Sequence, residues 1–519
     1  MQLLRLKISK KGTLAFAASL LTLGMVIAGC TSAVTSTSST SNIIPNTNTS
    51  TTPVGITDAV NNQVLATSLT LNSIILTDST GKVTTNLLAA GPITFEAAHL
   101  DAVQEPFFSA AIPEDTNPYV SVTLTYSNAQ VAYVNTATTP ASIVLDSTPT
   151  LANTSKTVTF ASPITISNTT TSLLVDYLVT QSVAISGCTA SGCTVTVTPD
   201  FDVTAIAISA TPTNGTNGLM THKGIVKAIS ASTDSFTITN PSGTSLTIYV
   251  NANTVFQPSP FSNVLCMGVS CLTELQVNAL VEVDTITQNG STALPKGSLL
   301  ATRVEVDDTG VTAPKLLLGP VTSRTPTATG TAATSFDMVL RQMVGGTSAA
   351  ALESVDVTVT GTTNFLMPPR FTIFATALPF TPSFTASTIF AGQHVAVVTT
   401  SIGVTSGAAT ATTVLLQPQT VSGTINSCTT SQIAGAYAVC TITMPADHWL
   451  AKLTGQTTVL VYINSLAIPI NATAPTVGNT MRFNGYLFNV GGTLRLVTVV
   501  QADPPGTPIL AGASTGPTI

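Results

Sequence analysis

Val120-Ser121-Val122-Thr123-Leu124-Thr125-Tyr126 carries a large apolar or aromatic side chain at every second position, with a small hydroxyl residue between. A strand turns successive side chains to opposite faces, so this pattern gives one dry face and one wet face. The same alternation recurs outward from it, in Ser68-Leu-Thr-Leu71 on one side and Thr194-Val-Thr-Val197 on the other. Turn-forming clusters, Asp78-Ser-Thr-Gly81 and Glu114-Asp-Thr-Asn-Pro118, separate the runs. Short alternating strands with frequent turns predict an all-β fold, here a β-sandwich over residues 54–212. Within it Glu96 to Phe108 is less regular and reads as a short helix or a loop.

Composition agrees. Of 519 residues only 8% are charged, 44% are hydrophobic, and Val, Ile, Leu and Thr are abundant. β-branched side chains suit a pleated, half-buried surface. The net charge of −6 is spread thin, and no basic stripe follows the first dozen residues, which speaks against nucleic acid as a partner.

Past residue 220 a unit of about 100 residues repeats. Each copy opens with Gly, one residue, then Val or Ile: Gly224-Ile-Val226, Gly319-Pro-Val321 and Gly423-Thr-Ile425. Further strands follow at matching places, ending in Ala301-Thr-Arg-Val-Glu-Val306, Ala411-Thr-Thr-Val-Leu-Leu416 and Leu494-Arg-Leu-Val-Thr-Val499. The expectation is three small β-barrels or sandwiches, strung like beads over 220–310, 316–418 and 420–503, with a disordered Pro/Gly-rich tail over 504–519.

The N-terminus reads as an address. Arg5, Lys7, Lys10 and Lys11 precede an uncharged apolar run from Thr13 to Ala28, short for a spanning helix and right for a secretory signal over 1–29. The run ends in Ile27-Ala28-Gly29-Cys30. This resembles the lipobox of bacterial lipoproteins, and the resemblance implies cleavage before Cys30, lipidation of its thiol and stable anchoring by two or more acyl chains. Thr31 lacks the acidic side chain of an inner-membrane retention signal, so the expected location is the outer membrane, on its periplasmic or outer face. Residues 30–53, rich in Ser, Thr and Asn, read as a flexible tether.

Six cysteines remain, in three local pairs: Cys188 and Cys193, Cys266 and Cys271, Cys428 and Cys440. An exported chain meets an oxidising compartment, so disulfides are expected, with free buried thiols or a metal site as the competing readings. No C-x-x-C and no nearby His favours the metal.

Two longer resemblances follow. Ile56-Thr57-Asp58-Ala59, Leu69-Thr-Leu-Asn-Ser-Ile-Ile-Leu76, Leu173-Leu-Val-Asp-Tyr177 and Val197-Thr-Pro-Asp200 resemble the bacterial lipoprotein family catalogued as domain of unknown function 4382. Gly224-Ile-Val226, Phe236-Thr-Ile238, Val250-Asn-Ala-Asn-Thr-Val-Phe256 and Ala301-Thr-Arg-Val304 resemble domain of unknown function 5666, with the later two repeats matching more loosely. The resemblances imply export and β architecture, and no activity.

Residues able to carry chemistry are few. Gly512-Ala-Ser514-Thr-Gly516 has the spelling of a nucleophile elbow but no His after it. His99, His222, His394 and His448 show no ligand spacing and read as surface or strand-edge residues. Asp200 with Asp202, and Glu305 with Asp307 and Asp308, lack the spacing of a calcium loop and read as solvated strand ends. Glu96, Glu105 and Glu114-Asp115 supply carboxylates, but with aromatics at 5% a sugar platform has one place to form, His448 with Trp449, the only Trp. A core Trp is the competing reading there. No cofactor motif occurs, and a membrane barrel would need aromatic girdles. The reading is therefore a non-enzymatic lipoprotein of the cell envelope, partnered by the membrane through its lipid and by a surface polymer or other envelope proteins. The alternatives are a glycan or cell-wall polymer binding protein and, behind it, an envelope hydrolase.

Overall fold

The computed structural model describes residues 43–44 and 49–502, except 59–60, 101–104, 167–170, 208–219, 242, 258–264, 289–293, 295–296, 309–314, 329, 346–351, 369–370, 372–374, 376–377, 401, 404–406, 434–436 and 471–473. The signal segment, Cys30, most of the predicted tether and the tail with Ser514 lie outside the described residues. What is described is all-β, in several sheets, one of them a closed barrel.

In the first module the long strands Val64–Asp78 and Tyr119–Asn135 pair antiparallel, flanked by Ile93–Glu96, Ser142–Asp146 and Ser155–Ile164. A second sheet orders Phe201–Ala207, Thr171–Tyr177, Thr49–Asp58 and Glu105–Pro113. The alternation that opened the reading has its physical outcome here. Val122, Leu124 and Tyr126 enter one core with Leu69, Leu71, Val54, Ile56, Leu173, Val175 and Phe201. The rings of Tyr126 and Tyr177 lie 5.8 and 5.1 Å from that of Phe201 and close the gap between the sheets. Two of the stretches carrying the first longer resemblance sit side by side. Thr57 pairs in register with Asp176 and Asp58 with Tyr177, and the Asp58 carboxylate accepts the Val179 N–H at 3.1 Å.

One expectation needs correction, and a second is incomplete. Thr49–Pro53, read as tether, form the start of the strand Thr49–Asp58, with Ser50 and Thr52 buried. Polar composition suggested a solvated chain, but Thr is a good strand former, and Thr49–Pro53 pair with Ser109–Pro113. In the Glu96–Phe108 region the loop alternative holds at 97–100, and what the reading missed is that the region also contributes the ends of two strands, Ile93–Glu96 and Glu105–Pro113.

The three repeats share one topology. Each first strand changes partner half-way along. Met220–Ile225 pairs with Leu280–Thr285, and the rest of that strand pairs with Ser235–Thr239. Lys315–Pro320 pairs with His394–Thr399, and Val321–Thr325 then pairs with Ser335–Met338. Gln419–Thr424 pairs with Thr480–Gly485 before Thr424–Ile433 pairs with Tyr437–Thr443. The register slips at the same step each time: between Val226 and Ala228, Val321 and Ser323, and Ile425 and Ser427. A bulge bends a strand, and here it turns the sheet's corner.

The conserved spelling of the repeat opening has a steric cause. A Cβ on Gly224, Gly319 or Gly423 would stand 2.7, 1.8 or 2.8 Å from the carbonyl oxygen of Thr239, Val339 or Thr443. The last strand of each unit runs parallel to a middle strand: Leu299–Asp308 beside Ser245–Tyr249, Thr413–Leu416 beside Asn364–Leu366, and Thr493–Ala502 beside Thr458–Ile470. In the third unit Gln419–Ile433, Tyr437–Thr443, Thr458–Ile470, Thr493–Ala502 and Thr480–Val490 close into a barrel in that order. This is a five-stranded Greek-key barrel of the OB type.

The units are not beads. One apolar cluster joins Phe336, Val395 and Leu416 of the second repeat to Tyr486, Phe488 and Val497 of the third. Another joins Leu65, Ala66, Ala132 and Val134 of the first module to Val421, Ile442 and Leu450. A third joins Ile225 and Leu280 to Leu316, Ala396 and Leu415. Strands such as Leu280–Thr287 and His394–Thr399 are buried at every position, one face toward their own barrel and the other toward a neighbour.

Candidate functional site

Several of the sparse charges among the described residues are buried, and a group of them gathers in the first repeat. Lys223, Glu282, Glu305 and Gln257 stand opposite one another in successive strands, and Thr221, Asp284 and Arg303 form the next such row. Side chains two residues apart share a face. These two rows therefore tile the outer face of the first repeat's sheet with polar groups, and that face is covered, since Glu282, Glu305, Arg303 and Asp307 are all buried.

The ladder is internally neutralised. The Lys223 ammonium donates to Glu282, and Arg303 donates to Glu305 at 2.8 Å and to Gln257 at 3.1 Å. Thr221 donates to Asp284 at 2.7 Å. Asp307 is the strained member. Burial pushes its carboxyl well above the usual range, opposed by the Lys223 charge and reinforced by the negative charges of Glu305 and Glu282. Its Oδ1 has no hydrogen-bond partner in the protein. The reading of Glu305 and Asp307 as solvated strand ends is thus corrected: alternation exposed them on the barrel's outer side, and a neighbouring module covers that side.

Across from the ladder stands His99. Its Nδ1 lies 2.9 Å from Glu96 Oε2 and its Nε2 lies 3.2 Å from Glu105 Oε1. Glu96 is itself held by the N–H groups of Thr67, Ala98 and His99 at 2.9, 2.9 and 3.1 Å. Burial alone would lower the His99 pKa; Coulombic attraction and hydrogen bonds from the two carboxylates outweigh it and raise it to about 9. The ring is an imidazolium clamped between two carboxylates. The Gln342 amide nitrogen lies 2.8 Å from the same Nε2, so the second repeat reaches the clamp, although two N–H donors do not bond each other.

Between clamp and ladder lies a cavity of about 100 Å³. All four modules reach it: His99 and Glu105 from the first, Lys223 and Glu282 from the first repeat, His394 and Gln417 from the second, and Asn484 and Tyr486 from the third. A smaller cavity of about 30 Å³, bordered by Phe95, Glu96 and Arg341, lies on the other side of His99. His394 Nδ1 donates to the Pro418 carbonyl at 3.1 Å, while its Nε2 has no protein partner. Burial, then the positive charges of Arg341, His99 and Lys223, hold the His394 pKa well below its ordinary value, so the ring is neutral with a lone pair on Nε2. Gln417 Oε1 is likewise buried without a protein partner.

The histidines read as surface or strand-edge residues are interior. His222 is buried with its Nε2 2.6 Å from the Thr285 hydroxyl, and burial pushes its pKa down to about 4. His448 and Trp449, the predicted place for a ligand, are 1% and 3% exposed. His448 caps the helix Trp449–Thr454 by accepting the Leu450 N–H at 3.1 Å, and burial lowers its pKa to about 3. The Trp449 backbone N–H donates to the Asn62 carbonyl at 2.7 Å, and the Arg341 guanidinium lies 6.0 Å from the indole ring centre. The pair forms a module junction and offers no open face on which a sugar could stack.

Glu114 and Asp115 stay in a turn, where Asp115 accepts the Asn117 N–H at 3.0 Å. Asp200 pairs with Lys156 at 2.8 Å near the surface. The six cysteines form Cys188–Cys193, Cys266–Cys271 and Cys428–Cys440 disulfides. Among the described residues no cluster of three or more His, Cys, Asp or Glu is placed to hold a metal ion.

Of the cavity residues, Lys223, Glu282 and Gln417 escaped the sequence reading, and His394 was read as a surface or strand-edge residue. One signal existed. Leu280-Val-Glu-Val283 sets an acidic residue in an otherwise apolar strand, and Lys223 immediately precedes a repeat glycine. No known family model matches the chain, and no curated protein matches it either.

Proposed function

We propose that this protein is an exported, lipid-anchored component of the bacterial cell envelope that acts without catalysis, as a structural or interaction module. The observation that carries this reading is the disposition of its charge. Two of the first module's candidate carboxylates, Glu96 and Glu105, are engaged by the one His99 ring, and Glu282 is engaged by Lys223. Charges paired in this way hold modules in register, the use of buried ion pairs that this reading adopts. Three disulfides suit an oxidising compartment. The ordered leader and Ile27-Ala28-Gly29-Cys30 support a lipid on Cys30. Among the described residues no helix is long and apolar enough to cross a membrane, so in this reading the acyl chains provide the membrane partner. The resemblances to domains of unknown function 4382 and 5666 belong to the same proposal.

The test is metabolic labelling with palmitate in a bacterial host, comparing the parent chain with Cys30→Ser. The parent is expected to incorporate label and to fractionate with the outer membrane; Cys30→Ser is expected to do neither. Equal behaviour of the two chains would refute the anchor. Uniform inactivity in a broad hydrolase screen is the matching expectation for the absence of catalysis.

A further inference from the structure

Two buried acceptor atoms without a protein partner belong to residues lining the same cavity, His394 Nε2 and Gln417 Oε1. Their main chains are adjacent, because the Gln417 backbone N–H donates to the His394 carbonyl at 2.9 Å. Their other polar atoms are occupied. His394 Nδ1 donates to Pro418 at 3.1 Å and Gln417 Nε2 donates to Leu416 at 3.3 Å. A buried acceptor left bare carries a desolvation cost, and the pair therefore favours a molecule that brings donors.

The charges around them select its kind. Arg341, His99 and Lys223 act on His394 as positive neighbours, and with His99 and Lys223 matched by carboxylates the wall holds no unmatched negative charge to attract an ammonium group or a metal cation. An anion finds acceptors where it needs donors. Glu105 and Glu282, the two carboxylates of the wall, are already matched by His99 and Lys223. What fits is neutral and rich in O–H groups. Tyr486 provides an apolar side for a carbon chain. A volume of about 100 Å³ suits a molecule of a few heavy atoms, given that a cavity of about 150 Å³ accepts benzene.

We propose that the cavity where the four modules meet is a binding site for a small neutral polyol, recognised through His394 and Gln417. This site is independent of the lipid anchor and is distinct from the His448–Trp449 position considered from sequence.

Glycerol is the probe, titrated against the full chain by saturation-transfer NMR, with methylammonium as the cationic comparison of similar reach. Saturable glycerol binding is expected, with intermolecular NOEs to the Tyr486 ring, and no saturation by methylammonium. Gln417→Met removes the amide acceptor at nearly constant volume. His394→Asn keeps a donor for Pro418 and deletes Nε2. Each is expected to weaken glycerol at least tenfold while retaining the parent's far-UV spectrum. Should a variant fail to fold, the NOEs in the unaltered chain decide alone. Unsaturable glycerol signal, water as the only occupant, tighter binding of methylammonium, or glycerol affinity unchanged in folded variants would each overturn the assignment.

Discussion

At the scale of single residues, His99 and Asp307 are buried ionisable groups with opposite meaning for stability. The folded-state pKa of His99 is raised to about 9 by Glu105 and Glu96. A raised histidine contributes its full stabilisation below the unfolded value of about 6.5 and loses it as pH climbs through about 9. The span of that shift corresponds to about 3 kcal/mol. His99→Gln is expected to cost about 3 kcal/mol at pH 6, with the deficit shrinking toward pH 9.5; urea melts at several pH values measure it. A deficit that stayed constant with pH would mean the ring is neutral.

Asp307 also has a raised folded-state pKa, but for a carboxyl this means that ionisation opposes folding. Its favourable contribution exists only at acid pH and is lost as pH rises. Asp307→Asn cannot ionise, so it is expected to match the parent near pH 4 and to melt higher than the parent at pH 8. A lower melting temperature at pH 8 would show that the charge is needed to balance Lys223.

At the scale of the element, the recurring feature is the bent first strand. Gly319 lies so close to the Val339 carbonyl that any Cβ must displace backbone. Gly319→Ala is expected to destabilise by at least about 3 kcal/mol, the range of overpacking and beyond. Gly361→Ala is the control, because nothing lies within 4 Å of a Cβ there. Its stability should change by less than about 0.5 kcal/mol, as for an ordinary surface site. Equal effects at the two positions would detach the repeat's glycine from the corner it is argued to permit.

The disulfides act on elements too. Cys428 and Cys440 face each other across the pair Gln419–Ile433 and Tyr437–Thr443, at a sequence separation of 12. Replacing both by Ser is expected to cost about 2–3 kcal/mol by loop-closure entropy. Maleimide labelling of the unreduced, unfolded chain should find no thiol among these six.

At the scale of the molecule, the clusters that cross module boundaries predict shared cooperativity. Leu65 and Ala66 pack with the third repeat's barrel, and Ile225 and Leu280 pack with the second repeat. Polar contacts cross as well: Arg341 donates to the Leu65 carbonyl at 2.6 Å, and Ser422 donates to Asn62 at 3.0 Å. A Cβ on Gly392 would come within 2.4 Å of Leu450, so the second repeat presses its backbone against the third repeat's helix. Calorimetry is expected to show one transition for the described body. Four separable transitions, each unaffected by substitutions in the other modules, would restore the picture of beads.

Strand identity, the repeat and the cysteine pairs were readable from residues alone, because each is written in local order. Alternation of period two survives in Val120–Tyr126 and in His394–Val397 whatever packs against it, and Gly, one residue, then Val or Ile marks each corner because steric exclusion acts between near neighbours in the fold. The sharing of cores and the cavity were decided only by tertiary structure. Whether Glu282, Glu305 or His394 faces water depends on what covers the outer side of a strand, and that covering comes from modules far away in the chain. The same holds for His448 and Trp449, whose spelling suits an exposed platform or a buried joint equally well. Burial is a property of the assembled surfaces, and the energy of a charged or aromatic side chain is set by that burial more than by its neighbours in sequence.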